Sequence, residues 1–407
     1  MDGKSGNQLS RFVAGVDTHM DTHTLAILTG QGQVVLTATF PANHDGYCQL
    51  ITALKNAGDV TTIGVEGTNS YGAGLTRALI SAGFTVKEVL RPTRQVRRLR
   101  GKSDAIDAVE AARALLSNHG ISTAKDSTTP AESLRVLLTA RTQLINAGSA
   151  MLNSIKSLLV TAPEAVRSKY RGLSNQALVK RLAVSRPREA VECPSVAVVH
   201  AMRHLARARI DALNKAAELQ QQMDSILREH YRQVLNIYGS SAIVAAELVV
   251  TIGGNPDRIR DEAAFASLCG VAPIPASTGR TNRYRLNRGG DRRGNKALHR
   301  IALVRLRHDK RTREYAERRA REGKSTMEIL RCLKLSIARE AYRALTGRAE
   351  LTERQDDLKA IRKQKNLTQL QAARALNTYP ARISDIEHER RPLTGLTSRY
   401  RAWLETA

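Results

Sequence analysis

Two aspartates one helical turn apart directly follow a strongly basic stretch of the chain. Asp104 and Asp107 are separated by three positions, so on a helix both carboxylates project from the same face. The preceding segment carries Arg91, Arg94, Arg97, Arg98, Arg100 and Lys102. Carboxylates bind divalent cations and guanidinium groups bind phosphate, so the two halves of this stretch suit phosphate chemistry. Two acids at this spacing usually mark only a solvated helix face, so other residues must support the interpretation.

Two further carboxylates lie at the ends of predicted strands. Asp17 ends the first strand and Glu66 ends the fourth. If these strands are parallel neighbours, their carboxyl ends meet at one edge of the sheet, where ligand crevices form. Four carboxylates there repel one another unless cations compensate. We therefore predict that Asp17, Glu66, Asp104 and Asp107 are catalytic ligands of Mg²⁺, with two ions roughly 3.5–4 Å apart acting on a phosphodiester.

The turn after the first strand offers a different metal chemistry. In "DTHMDTH", His19 and His23 together with Asp17 have the donor types of a transition-metal site. Imidazoles in such a turn more often hydrogen-bond locally, and we expect that role for both histidines.

A second candidate site lies in a glycine-punctuated, arginine-rich loop. Ser277 and Thr278 precede Gly279. The surrounding cationic residues are Arg280, Arg283, Arg285, Arg288, Arg292, Arg293, Lys296 and Arg300. A serine in this setting is a candidate nucleophile on phosphorus, because guanidinium groups stabilise the developing charge. The sequence places no His or Asp beside it for a hydrolase triad, so acyl transfer is not supported.

The segment "GKST" at Gly323–Thr326 resembles the end of a nucleotide-binding P-loop. That motif requires a glycine five residues before Gly323, and the chain has Arg318 there. We therefore predict no nucleotide binding at this segment.

Composition indicates a nucleic-acid partner. The 407 residues carry a formal charge of +26, which favours a polyanion because Lys and Arg contacts to phosphate release counterions. With four Phe and one Trp, backbone contacts rather than base stacking should dominate. We expect contacts to nucleic acid from Arg94, Arg97, Arg98, Arg100, Lys102, Arg280, Arg283, Arg285, Arg288, Arg292, Arg293 and Arg382.

The four cysteines and the apolar segments indicate where the protein works. Cys48, Cys193, Cys269 and Cys332 are far apart, which argues against a disulfide framework or a zinc ribbon. The N-terminus has no apolar signal segment. The most apolar run, Ala242–Val250, contains Glu247 and is too short to span a bilayer. We expect a soluble, cytoplasmic, nucleoid-associated bacterial protein without a membrane partner.

The elements that must position these residues form an α/β region followed by an all-α region. Residues 1–125 read as three strands followed by alternating helices and strands, in the order βββ-α-β-α-β-α. That order is typical of a ribonuclease H-like (RuvC-like) domain, in which a hairpin is joined to right-handed crossovers. Residues 126–236 have the apolar spacing of helices and the character of a coiled coil. Residues 237–347 form a mainly helical domain that bears Ser277.

Residues 352–407 resemble a helix-turn-helix of the lambda-repressor or Cro type. Thr368 is a suitable cap for the second helix. The segment 379–388 is then the recognition helix, with Arg382, Ser384 and Asp385 exposed, and Pro380 is tolerated near its start. The alternative is a helical tail used for oligomerisation.

Five segments, in this order, resemble the DEDD transposases of the one-ten family of bacterial insertion sequences. They are "GVDTHMDTHTLAI", "GVEGTNSYG", "RRLRGKSDAIDAVEAARALL", "LCGVAPIPASTGRTNRYRLNRGGDR" and "LRCLKLSIAREAYRAL", and they lie within about residues 12–345. The resemblance implies a RuvC-like nuclease domain, a coiled-coil domain and a C-terminal transposase domain. It also implies Mg²⁺ at the four acids and Ser277 as the nucleophile of a 5′-phosphoserine intermediate, with Thr278 as the other possible hydroxyl.

The resemblance further implies guidance by a structured noncoding RNA. It implies a homo-oligomer, dimer to tetramer, whose active sites combine parts of different subunits. From the residues alone, two other functions stay open beside a serine-dependent recombinase. One is a metal-dependent nuclease that uses water, and the other is a helix-turn-helix regulator without enzymatic activity.

Overall fold

The chain forms two compact units. The computed structural model describes residues 12–90, 103–187, 192–276, 284–348, 358–387 and 394–406. The first unit consists of Met1–Ser133 with Ile252–Arg260, and the second of Leu134–Thr251 with Asp261–Ala407.

The first unit is built on a six-stranded sheet. Its strands are β1 (Phe12–Thr18), β2 (Thr22–Thr29), β3 (Val34–Pro41), β4 (Val60–Glu66), β5 (Thr85–Val89) and β6 (Ile121–Thr123). Their order in the sheet is β3-β2-β1-β4-β5-β6. Strands β1, β2 and β3 pair antiparallel, whereas β4 is parallel to β1 and β5 is parallel to β4. The predicted mixed α/β sheet at the N-terminal end is confirmed.

Strand β6 follows the predicted order βββ-α-β-α-β-α and is not part of it. The strand is only three residues long and pairs antiparallel with β5. Lys87 Nζ donates to Thr123 Oγ1 over 3.1 Å across this pairing. The strand is set by backbone pairing rather than by an alternating apolar pattern, so the pattern of residue types does not reveal it.

Helices cover both faces of the sheet. They are α1 (His44–Asn56), α2 (Ala73–Ser81) and α3 (Asp104–Ser117). Asn43 Oδ1 accepts from Gly46 N over 2.9 Å and thereby caps α1. Alternate residues of each strand point to opposite faces, so Val16 packs with α1 and α2 while Val13 packs with α3. Strands β1 and β2 are therefore buried on both faces, whereas the edge strand β3 is mostly exposed.

The rest of the chain is mostly helical. Its helices are α4 (Pro130–Thr161), α5 (Glu164–Tyr170), α6 (Asn175–Ala183), α7 (Pro194–His230), α8 (Arg232–Leu235), α9 (Ala242–Ile252), α10 (Glu262–Leu268), α11 (Arg292–His308), α12 (Lys310–Arg321) and α13 (Thr326–Leu345). A 3₁₀ turn (Pro256–Arg258) follows α9, and a short hairpin of β7 (Ile274–Pro275) and β8 (Tyr284–Arg285) precedes α11. Among the described residues, no helix is both long enough and apolar enough to cross a bilayer.

The two longest helices run antiparallel within the second unit. Arg141 of α4 donates to Gln220 of α7 over 3.0 Å, and Arg209 of α7 donates to the carbonyl of Gly148. As residue numbers rise along α4, the partners on α7 fall. Ile155 and Met202 lie in the shared apolar core between these helices. The coiled coil stays a prediction.

The C-terminal tail has an apolar core of its own. Its helices are α14 (Leu358–Gln364), α15 (Gln369–Ala375), α16 (Pro380–Glu387) and α17 (Thr394–Thr406). Ile383, Tyr400 and Leu404 are among the buried residues of that core. In the whole chain, the four cysteines are free thiols, in agreement with the expected absence of a disulfide framework.

Candidate functional site

Two of the predicted acids lie side by side at one edge of the sheet. Asp17 is the penultimate residue of β1 and Glu66 is the last residue of β4. These strands are parallel, with Val16 opposite Val65, so the two acids follow at matching positions. Both are buried, with 4% and 6% of their surface exposed. Burial of both carboxylates at a shared sheet edge is unfavourable without compensation and is therefore informative.

A buried hydrogen bond fixes the two strand ends relative to each other. Thr18 Oγ1 donates to the carbonyl oxygen of Glu66 over 2.7 Å. Gly67 follows with a φ of +72°, which an L side chain rarely adopts, and turns the chain away from the edge. The hydrogen bond from Thr18 and the turn at Gly67 together fix the position of the Glu66 backbone.

Helix α3 contributes the other two predicted acids. Asp104 and Asp107 both lie in its first turn. Ser103 caps the helix, because its Oγ accepts from Ile106 N over 3.3 Å. Negative side chains are favoured in a first turn, where the helix dipole is positive. The predicted spacing of the two acids on one helix is therefore realised at a stable helix start.

Two glycines let α3 lie directly on the sheet. Gly15 and Gly64 are opposite each other in β1 and β4. A Cβ atom at Gly15 would lie 2.2 Å from Ala112 N, and one at Gly64 would lie 2.8 Å from Ala111 O. Neither distance is sterically possible, so the helix backbone occupies space that any other residue would fill. This close approach brings the start of α3 to the edge that carries Asp17.

His19 lies between acids from the two elements. Its Nε2 is 3.2 Å from Asp17 Oδ2 and 3.3 Å from Asp104 Oδ1. One ligand atom from each of these three residues falls within 4.8 Å of the others, which is close enough for a shared metal ion. Asp17 Oδ2 is buried and, apart from this 3.2 Å contact with the His19 ring, has no hydrogen-bond partner among the described residues. A divalent cation would satisfy that oxygen, so the residues present fit a metal centre.

His23 does not take part in this group. It is fully buried, and its ring stacks on Tyr47 with centroids 5.7 Å apart. Burial lowers the pKa of His23, so the ring is neutral in the core. Of the two histidines in the turn, only His19 reaches the acids. The sequence motif alone does not separate their roles.

The electrostatics of Asp17 show that each of the other three predicted acids lies close enough to act on its carboxyl. Burial raises the pKa of the Asp17 carboxyl, and the negative charges of Glu66, Asp107 and Asp104 raise it further, while His19 opposes them. Carboxylates clustered in this way repel one another, and a bound cation would relieve that repulsion. The structure therefore brings together the four acids that the sequence singles out.

The serine loop and the basic stretch before α3 lie outside the described residues. The predicted residues concerned are Ser277, Thr278, Arg280, Arg283, Arg94, Arg97, Arg98, Arg100 and Lys102. The strands on either side of the serine loop are described. Ile274 pairs with Arg285, and Pro275 pairs with Tyr284. Residues 276–283 therefore connect two antiparallel strands.

The remaining basic residues of this region have two different environments. Arg285, Arg288 and Arg292 are exposed, and Arg293 is half-buried. Lys296 and Arg300, which the sequence places around the serine, pair with a buried acid instead.

That acid is Glu247 of α9, which is only 3% exposed. Lys296 Nζ is 2.7 Å from its Oε1, and Arg300 Nη1 is 3.4 Å from its Oε2. The pairing joins α9 to α11. The sequence signal is an acid inside an apolar run, because a buried carboxylate requires a cationic partner.

The tail has the geometry of a helix-turn-helix. Thr368 caps α15, with a capping box completed by Gln371, as predicted for the second helix. In α16, Arg382 is exposed as predicted. Ser384 and Asp385 are half-buried rather than exposed, because this eight-residue helix also buries Ile383 and Ile386 beside them.

Comparisons with known proteins decide the family. The chain matches a model described as "Transposase" of the DEDD IS110 type over residues 14–162, and one described as "Transposase IS116/IS110/IS902 family" over residues 231–317. Together these matches span more than half of the chain. The chain belongs to the IS110 family of transposases. Membership confirms the resemblance found in the sequence and makes the protein an insertion-sequence transposase, an enzyme that acts on DNA.

A curated relative and a third family model agree with this. The transposase is 25% identical over 384 residues to "Insertion element IS900 uncharacterized 42 kDa protein" of Mycobacterium paratuberculosis, with 82% of this chain and 94% of the relative covered. Residues 358–397 match a helix-turn-helix model. The predicted DNA-binding tail is confirmed as a helix-turn-helix.

Within that tail, one glutamate joins its own helix, α16, to three other helices. Glu387 accepts hydrogen bonds from Arg362 Nε over 2.6 Å, Gln369 Nε2 over 2.8 Å and Tyr400 OH over 2.6 Å. Burial alone would raise the pKa of Glu387, but these hydrogen bonds and the charge of Arg362 lower it overall. The charged form of Glu387 is thus part of the tail's fold.

Proposed function

We propose that this transposase cuts and rejoins DNA through a serine nucleophile, with divalent metal ions held at the acidic edge of the sheet. The observation that carries the proposal is that four acids converge at this edge: Asp17, Glu66, Asp104 and Asp107. The negative charges of Glu66, Asp104 and Asp107 all raise the pKa of the Asp17 carboxyl. Such a cluster is costly unless it binds cations, so its presence argues for function rather than for stability. The sheet order and the parallel pairing of β1 with β4 support a ribonuclease H-like domain.

The metal site would use hard oxygen ligands. Asp17, Glu66, Asp104 and Asp107 would hold Mg²⁺, and His19 is placed to add a nitrogen ligand. When bound, the ions supply a Lewis acid that stabilises charge on phosphodiester oxygens. The buried Asp17 orients one carboxylate rigidly, and the first turn of α3 presents two more from a fixed helix.

Ser277 is the nucleophile of the covalent step. Its Oγ attacks the phosphorus, an Oγ–P bond forms, and the bond from phosphorus to the 3′ oxygen breaks. The serine hydroxyl loses its proton and the departing 3′ oxygen gains one, which leaves a 5′-phosphoserine ester and a free 3′-hydroxyl. Because the ester conserves the energy of the broken bond, rejoining needs no nucleotide cofactor.

Two further parts of the proposal rest on family membership and charge. A structured noncoding RNA would guide the enzyme, and the formal charge of +26 suits two nucleic-acid partners. A homo-oligomer, dimer to tetramer, would assemble the complete active sites. The exposed Arg285, Arg288 and Arg292 would contact nucleic-acid backbone, as would Arg382 of the tail.

A water-using nuclease is the second candidate, and the acidic edge favours it. That edge lies wholly among described residues, and its carboxylates are the ligands that metal-dependent hydrolysis of a phosphodiester uses. This enzyme would release free DNA ends without a protein–DNA ester.

A denaturing gel separates the two candidates. Purified full-length protein with co-purifying RNA, Mg²⁺ and end-labelled DNA from the junction of the element is quenched in SDS. We expect a labelled adduct at protein size for wild type and for Thr278→Ala, and none for Ser277→Ala or Asp104→Ala. Cleavage without an adduct, unchanged in Ser277→Ala, would establish the water-using nuclease instead.

A further inference from the structure

A cationic cavity lies beside the hairpin that flanks the serine loop. Its volume is about 410 Å³, and it is lined by residues from the start of α11, the segment before that helix, and α13. Arg288, Arg292, His299 and Lys334 are among the lining residues. All of these lie in the second unit.

The backbone on one side of the cavity is in direct contact with the segment that leads to Ser277. Asp291 N donates to the carbonyl of Leu268 over 2.6 Å. Gly290 has a φ of +89°, and a Cβ there would lie 2.7 Å from Gly270 N. Only a pair of glycines allows this crossing of backbones. Gly270 precedes Ser277 by seven residues, so the cavity wall packs against the described segment that leads toward the serine.

The charge in the cavity is not neutralised by protein groups. Asp291 is its lining carboxylate, and that side chain caps α11 by accepting from Gly294 N over 2.8 Å and also accepts from Thr251 over 3.3 Å. Arg288, Arg292 and Lys334 form no ion pair within the described ranges. The cavity is therefore positive overall.

Lys334 is the most constrained of these cations. Its Nζ donates to Asn295 Oδ1 over 3.1 Å, and Asn295 Nδ2 in turn donates to the carbonyl of Cys269 over 2.8 Å. Burial, with the charge of Arg331, lowers the pKa of Lys334. Burial and Lys334 likewise lower the pKa of His299. A half-buried ammonium held by a neutral amide is suited to receive an anion, which would supply the missing negative charge.

We propose that this cavity binds a phosphodiester group of the nucleic acid next to the one that Ser277 attacks, with Lys334, Arg288 and Arg292 as its donors. The inference rests on the proposed function, because it assigns the cavity to the same substrate. Its purpose is to hold the backbone in register with the serine loop through the contact between Gly270 and Gly290. Lys334 is a binding and positioning residue, not a catalytic one.

The test measures binding and not strand transfer. Fluorescence anisotropy with labelled duplex DNA from the element junction gives Kd for full-length protein over a range of salt concentrations. Wild type is compared with Lys334→Gln, Lys334→Arg and Arg339→Gln. Arg339 is an exposed cation of the same helix outside the cavity, so its removal matches the change in net charge. A parallel titration uses labelled RNA from the noncoding flank of the element.

We expect Lys334→Gln to weaken binding about tenfold and to reduce the salt dependence of log Kd by about one unit, the effect of losing one phosphate contact. Lys334→Arg should retain both values, and Arg339→Gln should match wild type. The loss should appear with the DNA duplex, and a loss with RNA alone would contradict the assignment of the cavity to the substrate of Ser277. Unchanged affinity and slope in Lys334→Gln, or equal loss in Arg339→Gln, would overturn the proposal.

Two controls keep the result interpretable. If Lys334→Gln has a lower thermal midpoint, Arg288→Gln at the exposed rim takes its place and should show the same reduced slope. Ser277→Ala should bind as wild type does. An absent covalent adduct would therefore refute the serine mechanism while the cavity still bound phosphate, and the reverse result would refute only the cavity.

Discussion

Gly15 and Gly64 lie opposite each other on two parallel strands, and the backbone of α3 rests on both. The Cβ positions of the two glycines fall 2.2 Å from Ala112 N and 2.8 Å from Ala111 O. Because α3 starts with Asp104 and Asp107, this contact sets the distance of those acids from Asp17. The packing of these four small residues is thus a condition for the acidic edge.

Substitution at Gly15 should therefore affect both folding and metal binding. We expect Gly15→Ala to lower the free energy of unfolding by about 1–3 kcal/mol, since the methyl group overpacks a helix–sheet contact. It should also weaken Mn²⁺ binding, because α3 must shift outward. Gly30→Ala is the matched control, since a Cβ there meets nothing within 4 Å. Denaturant unfolding and Mn²⁺ titration provide the two readouts, and equal behaviour of the two variants would refute this role.

His19 should determine which metal ion the site prefers. A nitrogen ligand favours Mn²⁺ over Mg²⁺ relative to an all-oxygen site. We expect His19→Ala to lower affinity for Mn²⁺ more than affinity for Mg²⁺, measured by competition between the two ions. His44→Ala removes an exposed imidazole from α1 and should leave the ratio unchanged. An unaltered Mn²⁺ to Mg²⁺ ratio in His19→Ala would exclude the ring as a ligand.

Glu247 should stabilise the domain that carries the serine loop. Replacing it by Gln leaves Lys296 and Arg300 without their buried partner, although both are about half exposed and can be solvated. We expect a loss of about 1–3 kcal/mol, the range for hydrogen bonds to charged groups. Glu229→Gln, at a side chain 74% exposed, should change stability by less than about 0.5 kcal/mol. Chemical denaturation of the full chain distinguishes them.

The tail should lose stability in acid because of Glu387. Its pKa in the folded tail lies below the ordinary value of 4.5, so the unfolded tail binds a proton first as the pH falls. The stabilisation is complete above about pH 4.5 and is lost progressively below it. Trp403 is the single tryptophan of the chain and stacks on Tyr400, so its fluorescence reports on the tail within the full protein. Glu387→Gln should remove this pH dependence, and a wild-type signal constant down to pH 3 would contradict the account.

Some of these features follow from residue types and spacing, and others do not. The order βββ-α-β-α-β-α appears as predicted from Phe12 to Ser117, and Thr368 caps α15 as expected, because apolar periodicity and capping are local. Asp17 and Glu66 could be placed at one edge because parallel neighbours end together. Those features depend on short-range rules that a sequence displays directly.

The features that the sequence does not reveal depend on tertiary geometry. The role of His19 follows from how the turn between β1 and β2 meets α3, and its neighbour His23 points into the core instead. Glu247 has partners about fifty positions away on α11. Lys334 reaches the cationic cavity only because α13 packs beside α11. The spacing of residues along the chain does not reveal such tertiary contacts.

Direct binding of a divalent cation to the acidic edge is the first measurement to make. Electron paramagnetic resonance of free Mn²⁺ gives Kd for full-length wild type, Asp17→Asn and Asp21→Asn. Asp21 is an exposed acid in the turn after β1 and serves as the matched control. We predict that Asp17→Asn weakens Mn²⁺ binding about tenfold or more, because a carboxylate ligand is lost. The protein should stay folded, because the neutral amide relieves repulsion among the acids. Equal Mn²⁺ affinity in wild type and Asp17→Asn would contradict a metal centre at this edge.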